Sequence, residues 1–91
     1  MTAFDCKLVR NEDIAWRGVA DEGLLVDPRT GKVYPMDPVA FRLWQMSDGV
    51  LPLSQIIETL FNEFDVPKET LEKDIQSFVD ELVSHDLLRV I

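Results

Sequence analysis

Apolar and polar positions along the chain change period once. Between residues 14 and 36 the apolar residues come in short runs broken by turn residues: Ile14–Val19, Gly23–Asp27 and Lys32–Met36. Runs of this length, bounded by Gly, Pro and Asp, predict β-strands. "DEG" at residues 21–23 separates the first pair. "DPRTG" at residues 27–31 places Pro early and Gly last, as a hairpin with a type I turn and a glycine bulge requires. Three strands joined this way form an antiparallel meander, which needs to pack one face on something else.

From residue 37 the period becomes helical. Asp37 followed by Pro38 is a start signal: the carboxylate caps free N–H groups, and proline takes a position where its missing N–H costs little. Val39, Leu43 and Met46 share one face with Ala40 and Trp44 beside them, and "SDG" at 47–49 ends the helix, with Gly49 as its left-handed cap. A second helix is expected from Pro52 to Phe64, on Leu53, Ile56, Ile57, Leu60, Phe61 and Phe64; "DVP" at 65–67 stops it. A third is expected from Pro67 or Lys68 to Asp86. Leu71, Ile75, Phe78 and Leu82 make its narrow apolar arc. Val79 and Val83 widen it to roughly 140°, where a core-facing stripe needs about 100°. The excess is where a groove could open. Residues 1–13 show no clear period and are expected to be a partly ordered lead-in to one domain spanning 14–91. Strands and helices in separate blocks give an α+β fold, and three closely connected helices after a small sheet suggest a winged helix-turn-helix.

Composition narrows the partners. Nine Lys and Arg against seventeen Asp and Glu leave a formal charge of −8, which repels phosphate backbones and anionic membranes. The third helix, the element a winged-helix protein would place on DNA, carries Glu69, Glu72, Asp74, Asp80, Glu81 and Asp86 against Lys68 and Lys73. A DNA-binding regulator is therefore the lesser reading of this architecture. The lone Cys6 cannot form an internal disulfide and has no neighbours at metal-ligand spacing, which fits a reduced, cytoplasmic protein. No apolar run reaches the roughly 20 residues that span a bilayer, and the N-terminus does not read as a secretion signal.

Residues that could do chemistry are scarce. His85, the one histidine, sits at the end of the third helix, where it complements the helix dipole. There is no glycine-rich phosphate loop, and Ser47, Ser54, Ser77 and Ser84 lack a nucleophile context. The carboxylates fall mainly on solvated helix faces. No enzyme, cofactor or metal is expected.

The join between the third strand and the first helix carries a resemblance. "VYPMDPVAFRLWQMSDG" (Val33–Gly49) resembles the PqqD family, often called the RiPP recognition element. The matching residues are Tyr34, Met36, Asp37, Ala40, Leu43–Trp44 and Asp48–Gly49; Ile56 and Leu60 follow, then Asp74–Ile75, Phe78–Val79, Leu82 and Leu87–Leu88. Two positions depart from the family pattern: Pro52 stands where a Ser or Thr usually caps the second helix, and Asp86 where Gly usually precedes the closing leucines. The resemblance implies a non-enzymatic binding module. It would capture the leader of a ribosomally made precursor peptide as an added strand and present it to a modifying enzyme, often a radical SAM protein. The site would be the edge of the third strand (Lys32, Val33, Tyr34, Pro35, Met36) and a groove wall from Ile75, Phe78 and Val79. Asp74, a carboxylate next to Ile75 on the same helix, is a candidate charge contact to a basic leader residue. Tyr34, Met36, Trp44 and Phe78 would serve as core as well. An interaction domain that kept the fold and lost peptide binding is a further alternative.

Pro35 has two possible orientations. Its missing N–H either faces the open edge, together with the backbone of Val33, or faces the second strand, leaving Tyr34 to offer the edge.

Overall fold

The computed structural model describes residues 4–91. Six strands and three helices follow in the order β1 (Lys7–Arg10), β2 (Ala15–Val19), β3 (Glu22–Asp27), β4 (Lys32–Met36), α1 (Pro38–Met46), β5 (Asp48–Pro52), α2 (Leu53–Glu63), α3 (Lys68–Ser84) and β6 (Leu88–Val90). The architecture is α+β. The expected meander is one antiparallel sheet in the order β2-β3-β4, and a second antiparallel sheet has the order β5-β1-β6.

The second sheet lies largely in segments without a periodic signal. Lys7–Arg10, within the expected lead-in, is its central strand, pairing with β5 on one side and β6 on the other. Leu8 of β1 is fully buried, as are Leu87 and Leu88 beside it, which is what ties these short strands to the helices. The same segment resolves the departure at Pro52. Proline offers no side-chain cap, and α2 has none; the amides of Leu53 and Ser54 instead donate to the main-chain carbonyls of Cys6 (2.7 Å) and Phe4 (2.8 Å). The first turn of α2 thus finds its acceptors in the N-terminal chain.

Helix α1 begins as expected. Asp37 is the N-cap, its Oδ1 accepting from the Ala40 amide at 2.8 Å, and Pro38 takes the first turn. Its end differs. The C-cap is Ser47, whose buried hydroxyl donates to Leu43 O at 2.7 Å, while Gly49 adopts φ +82° inside β5 rather than closing the helix. Helix α3 stops at Ser84, two residues before the expected Asp86. Asp86 itself takes φ 59°, the left-handed conformation that makes glycine the usual residue there.

Two glycines bring α1 onto the first sheet. The turn between β2 and β3 is Ala20–Asp21, one residue earlier than expected, with Ala20 at φ 56°. Gly23 is therefore inside β3, buried on the face that meets α1. Phe41 lies over it: a Cβ on Gly23 would overlap the Cγ, Cδ1 and Cε1 atoms of the ring, and one on Gly18 would meet Phe41 Cε2 at 2.9 Å. Trp16 closes the other side of Phe41, edge to face with ring centroids 5.9 Å apart. Trp44, Leu43, Leu53, Ile56 and Leu60 fill the space between α1 and α2. Leu71, Ile75, Val79 and Leu82 bring α3 onto them. Each such fully buried aliphatic side chain contributes about 1.5–3 kcal/mol.

The β3–β4 turn is pinned from below. Asp27 is buried at the end of β3, and its carboxylate accepts from the Arg29 amide (2.9 Å), Nε (2.9 Å) and Nη2 (3.0 Å). Arg29 reaches on to Asp86 Oδ2 at 2.6 Å, so one guanidinium ties the turn to the chain that leaves α3. These contacts from Arg29 hold the Asp27 carboxyl below its ordinary pKa, against the opposing effect of desolvation. Because the shift is downward, its contribution to stability is complete above the unfolded-state value near 4 and disappears as the pH falls through the folded-state value. Thermal melts from pH 7 to pH 2 should show an acid-side loss for the native chain that is smaller in Asp27→Asn. Equal slopes below pH 4 would show that Asp27 carries none of it.

Candidate functional site

Strand β4 is an edge. It pairs with β3 in the register Gly23↔Met36, Leu24↔Pro35, Leu25↔Tyr34, Val26↔Val33 and Asp27↔Lys32. Directly opposed pairs in an antiparallel ladder alternate between those that exchange two hydrogen bonds and those that exchange none. Proline cannot donate, so Leu24↔Pro35 belongs to the second kind, and Val26↔Val33 with it. The bonded pairs are those of Lys32, Tyr34 and Met36. Hence the backbone groups of Val33 and Pro35 face away from β3 along the open edge. The alternative, with Pro35 facing β3, is excluded by the register.

Side chains alternate independently of this, across the sheet rather than along it. Tyr34 and Met36 point into the fold, half-buried and buried, and Val33 and Pro35 are exposed on the outer face. Tyr34 packs near the ring of His85, with centroids 5.7 Å apart; His85 is the C-cap of α3.

A groove of about 200 Å³ opens beyond the end of β4, between the start of α1 and the first half of α3. Its walls are Val39 and Ala40 from α1, Val66 from the α2–α3 connection, and Leu71, Ile75 and Phe78 from α3. Asp37 and Asp74 stand among them. The sequence-predicted residues thus separate. Lys32, Val33, Tyr34, Pro35 and Met36 form the edge, while Asp74, Ile75 and Phe78 line the groove. Val79 does not: it is fully buried and belongs to the core, so the widening of the apolar arc marks packing at this position. Val39, Ala40, Val66 and Leu71 were missed as wall residues because a helical stripe does not reveal which part of it a neighbour covers.

A larger depression of about 390 Å³ lies between the β2–β3 turn and α1. Its Arg42 is already held by Glu63 through two bonds of 3.0 and 3.2 Å, so its strongest polar groups satisfy each other. The smaller groove is the better candidate because it is mostly apolar and reaches Asp37, the residue that follows the unpaired strand β4. Among the described residues no group of His, Cys, Asp or Glu could hold a metal ion, and no helix is long and apolar enough to cross a membrane.

No curated protein sequence matches the chain. A solved structure described as TbiB1 in complex with the TbiA(beta) leader peptide superimposes with a TM-score of 0.77. The match covers 89% of this chain and 94% of that one at 23% identity, a likeness of fold. The sequence model of coenzyme PQQ synthesis protein D (PqqD) matches residues 22–88, from the first residue of β3 to the first of β6. With strand edge, groove and capped α1 all inside that match, the chain belongs to the PqqD family.

Proposed function

We propose that the protein is a non-enzymatic, cytoplasmic binding module that captures the leader of a ribosomally made precursor peptide as a fourth strand on β4. It would present that peptide to a modifying enzyme such as a radical SAM protein. The fold is read as a winged helix-turn-helix, with the β2-β3-β4 sheet as the wing and α3 as one wall of the peptide groove. The observation that carries this reading is the adjacency of an unpaired strand edge to an apolar groove. Edge backbone groups supply affinity with little sequence preference, and pockets for alternate side chains supply specificity. The fold shared with a protein solved in complex with a leader peptide supports it.

The test is an amide-resolved NMR titration with the leader of a precursor encoded beside this gene. In the free protein the Val33 amide should exchange rapidly and that of Tyr34 slowly. On addition of leader, Val33 should become protected, with shifts concentrated at Lys32–Met36 and Asp74–Phe78. A Val33 amide already protected in the free protein would contradict the open edge. Shifts confined to other elements would overturn the site.

A further inference from the structure

We propose that this surface selects an extended peptide carrying a lysine or arginine two residues from an apolar anchor, and that Asp74 reads the positive charge. The proposal rests on the peptide-binding reading above and adds the chemistry of the ligand.

The surface is rich in acceptors. Along the open edge Val33 offers one N–H and one C=O, while Pro35 offers a C=O alone. The groove adds two carboxylates, Asp37 and Asp74. Asp37 is engaged as the cap of α1 through the Ala40 amide. Asp74 is exposed, and no Lys, Arg or His among the described residues lies within ion-pairing distance of it. The two lysines of α3 are engaged elsewhere: Lys68 with Glu58, and Lys73 with Glu69 at 3.6 Å. In a chain of net charge −8, this leaves an uncompensated negative charge beside an apolar groove.

The spacing defines the motif. Asp74 and Phe78 are four residues apart on one helix, so their Cβ atoms are about 5–6 Å from each other. In an extended peptide, side chains on the same face recur every second residue, roughly 6.6–6.8 Å apart. For a strand running along α3, an apolar side chain seated against Phe78 and Ile75 brings the second residue along over Asp74. A lysine or arginine there lays its methylene stem along the groove wall and its charged head on the carboxylate. An acidic residue in the same place would meet two carboxylates.

The experiment pans a display library of random 12-residue peptides on the full chain, on Asp74→Lys and on Val33→Pro. Asp74 is exposed on a helix surface and lysine is a good helix former, so the fold should survive, with circular dichroism as the control. The native chain should enrich peptides with Lys or Arg two positions from Leu, Ile, Val or Phe. Asp74→Lys should keep the apolar anchor and exchange the basic residue for Asp or Glu. Reversing the charge in a selected peptide should weaken binding to the native chain on the order of fivefold and restore it to Asp74→Lys. Anchored peptides with no basic preference, or the same peptides selected by both proteins, would overturn the role of Asp74 and leave strand addition standing. Peptides bound equally well by Val33→Pro would overturn strand addition itself, and this proposal with it.

Discussion

Gly23→Ala is expected to destabilise the domain by about 3 kcal/mol, combining an overpacking cost with partial loss of Phe41 burial. The position is not a turn and does not use glycine's conformational freedom. It is a place in β3 where the Phe41 ring rests on bare backbone. An added methyl must displace a 5%-exposed aromatic that also holds Trp16, and the same ring leaves no room for a Cβ at neighbouring Gly18. For a domain of this size the total stability is on the order of 5–13 kcal/mol, and each kcal/mol moves the melting temperature by about 4–8 °C. A drop on the order of 15 °C should follow. Phe41→Leu supplies the control, since it vacates the space above Gly23. If Gly23→Ala costs as much in that background as in the native one, the ring is not the cause.

Val33→Pro should remove peptide binding and leave the fold nearly unchanged. The register directs the Val33 N–H away from β3, so proline deletes no ladder bond. Lys32 before it is already extended within β4, as a residue preceding proline must be. An incoming strand, however, loses the donor Val33 would offer and meets a second ring beside Pro35. A lost hydrogen bond of about 0.5–1.5 kcal/mol together with the steric clash predicts at least a tenfold rise in Kd. Isothermal titration with a leader peptide measures it, and urea unfolding checks stability. A variant that unfolds readily would place the Val33 amide inside the sheet. One that binds normally would place the peptide elsewhere.

The parts of the fold that can be read from sequence are those whose partners are near in the chain. The three strands of the first sheet are joined by short turns, and the Asp37–Pro38 start is a local cap, so pattern and turn chemistry suffice for them. Strands β1, β5 and β6 have three to five residues each and pair across about 40 to 80 residues. No alternation develops in so few positions, and Gly49 consequently reads as a helix stop. Gly23 misleads for a related reason: beside Asp21 and Glu22 it resembles a turn, and only the placement of Phe41 reveals a packing role. At the candidate site, the strand edge follows from the position of Pro35 once the register is known. The groove does not follow, because Val39, Leu71, Ile75 and Val79 are equally apolar. Only the helix packing sets the first three at the rim of an opening and turns the fourth away from it.

The pairing of β1 with the end of the chain has a practical consequence for how this unit could be built into others. The Lys7 amide donates to Ile91 O at 3.2 Å and the Ile91 amide to Lys7 O at 2.9 Å, so the two ends of the ordered ladder are hydrogen-bonded to each other. They meet in the sheet that does not contain β4. A host polypeptide that enters through the residues before Lys7, which also serve the first turn of α2, could therefore leave beside that same strand without parting it. A linker that leaves Phe4 and Cys6 on α2 would allow circular permutation, with new ends cut in the Ala20–Asp21 turn, and the β4 edge would keep its neighbours.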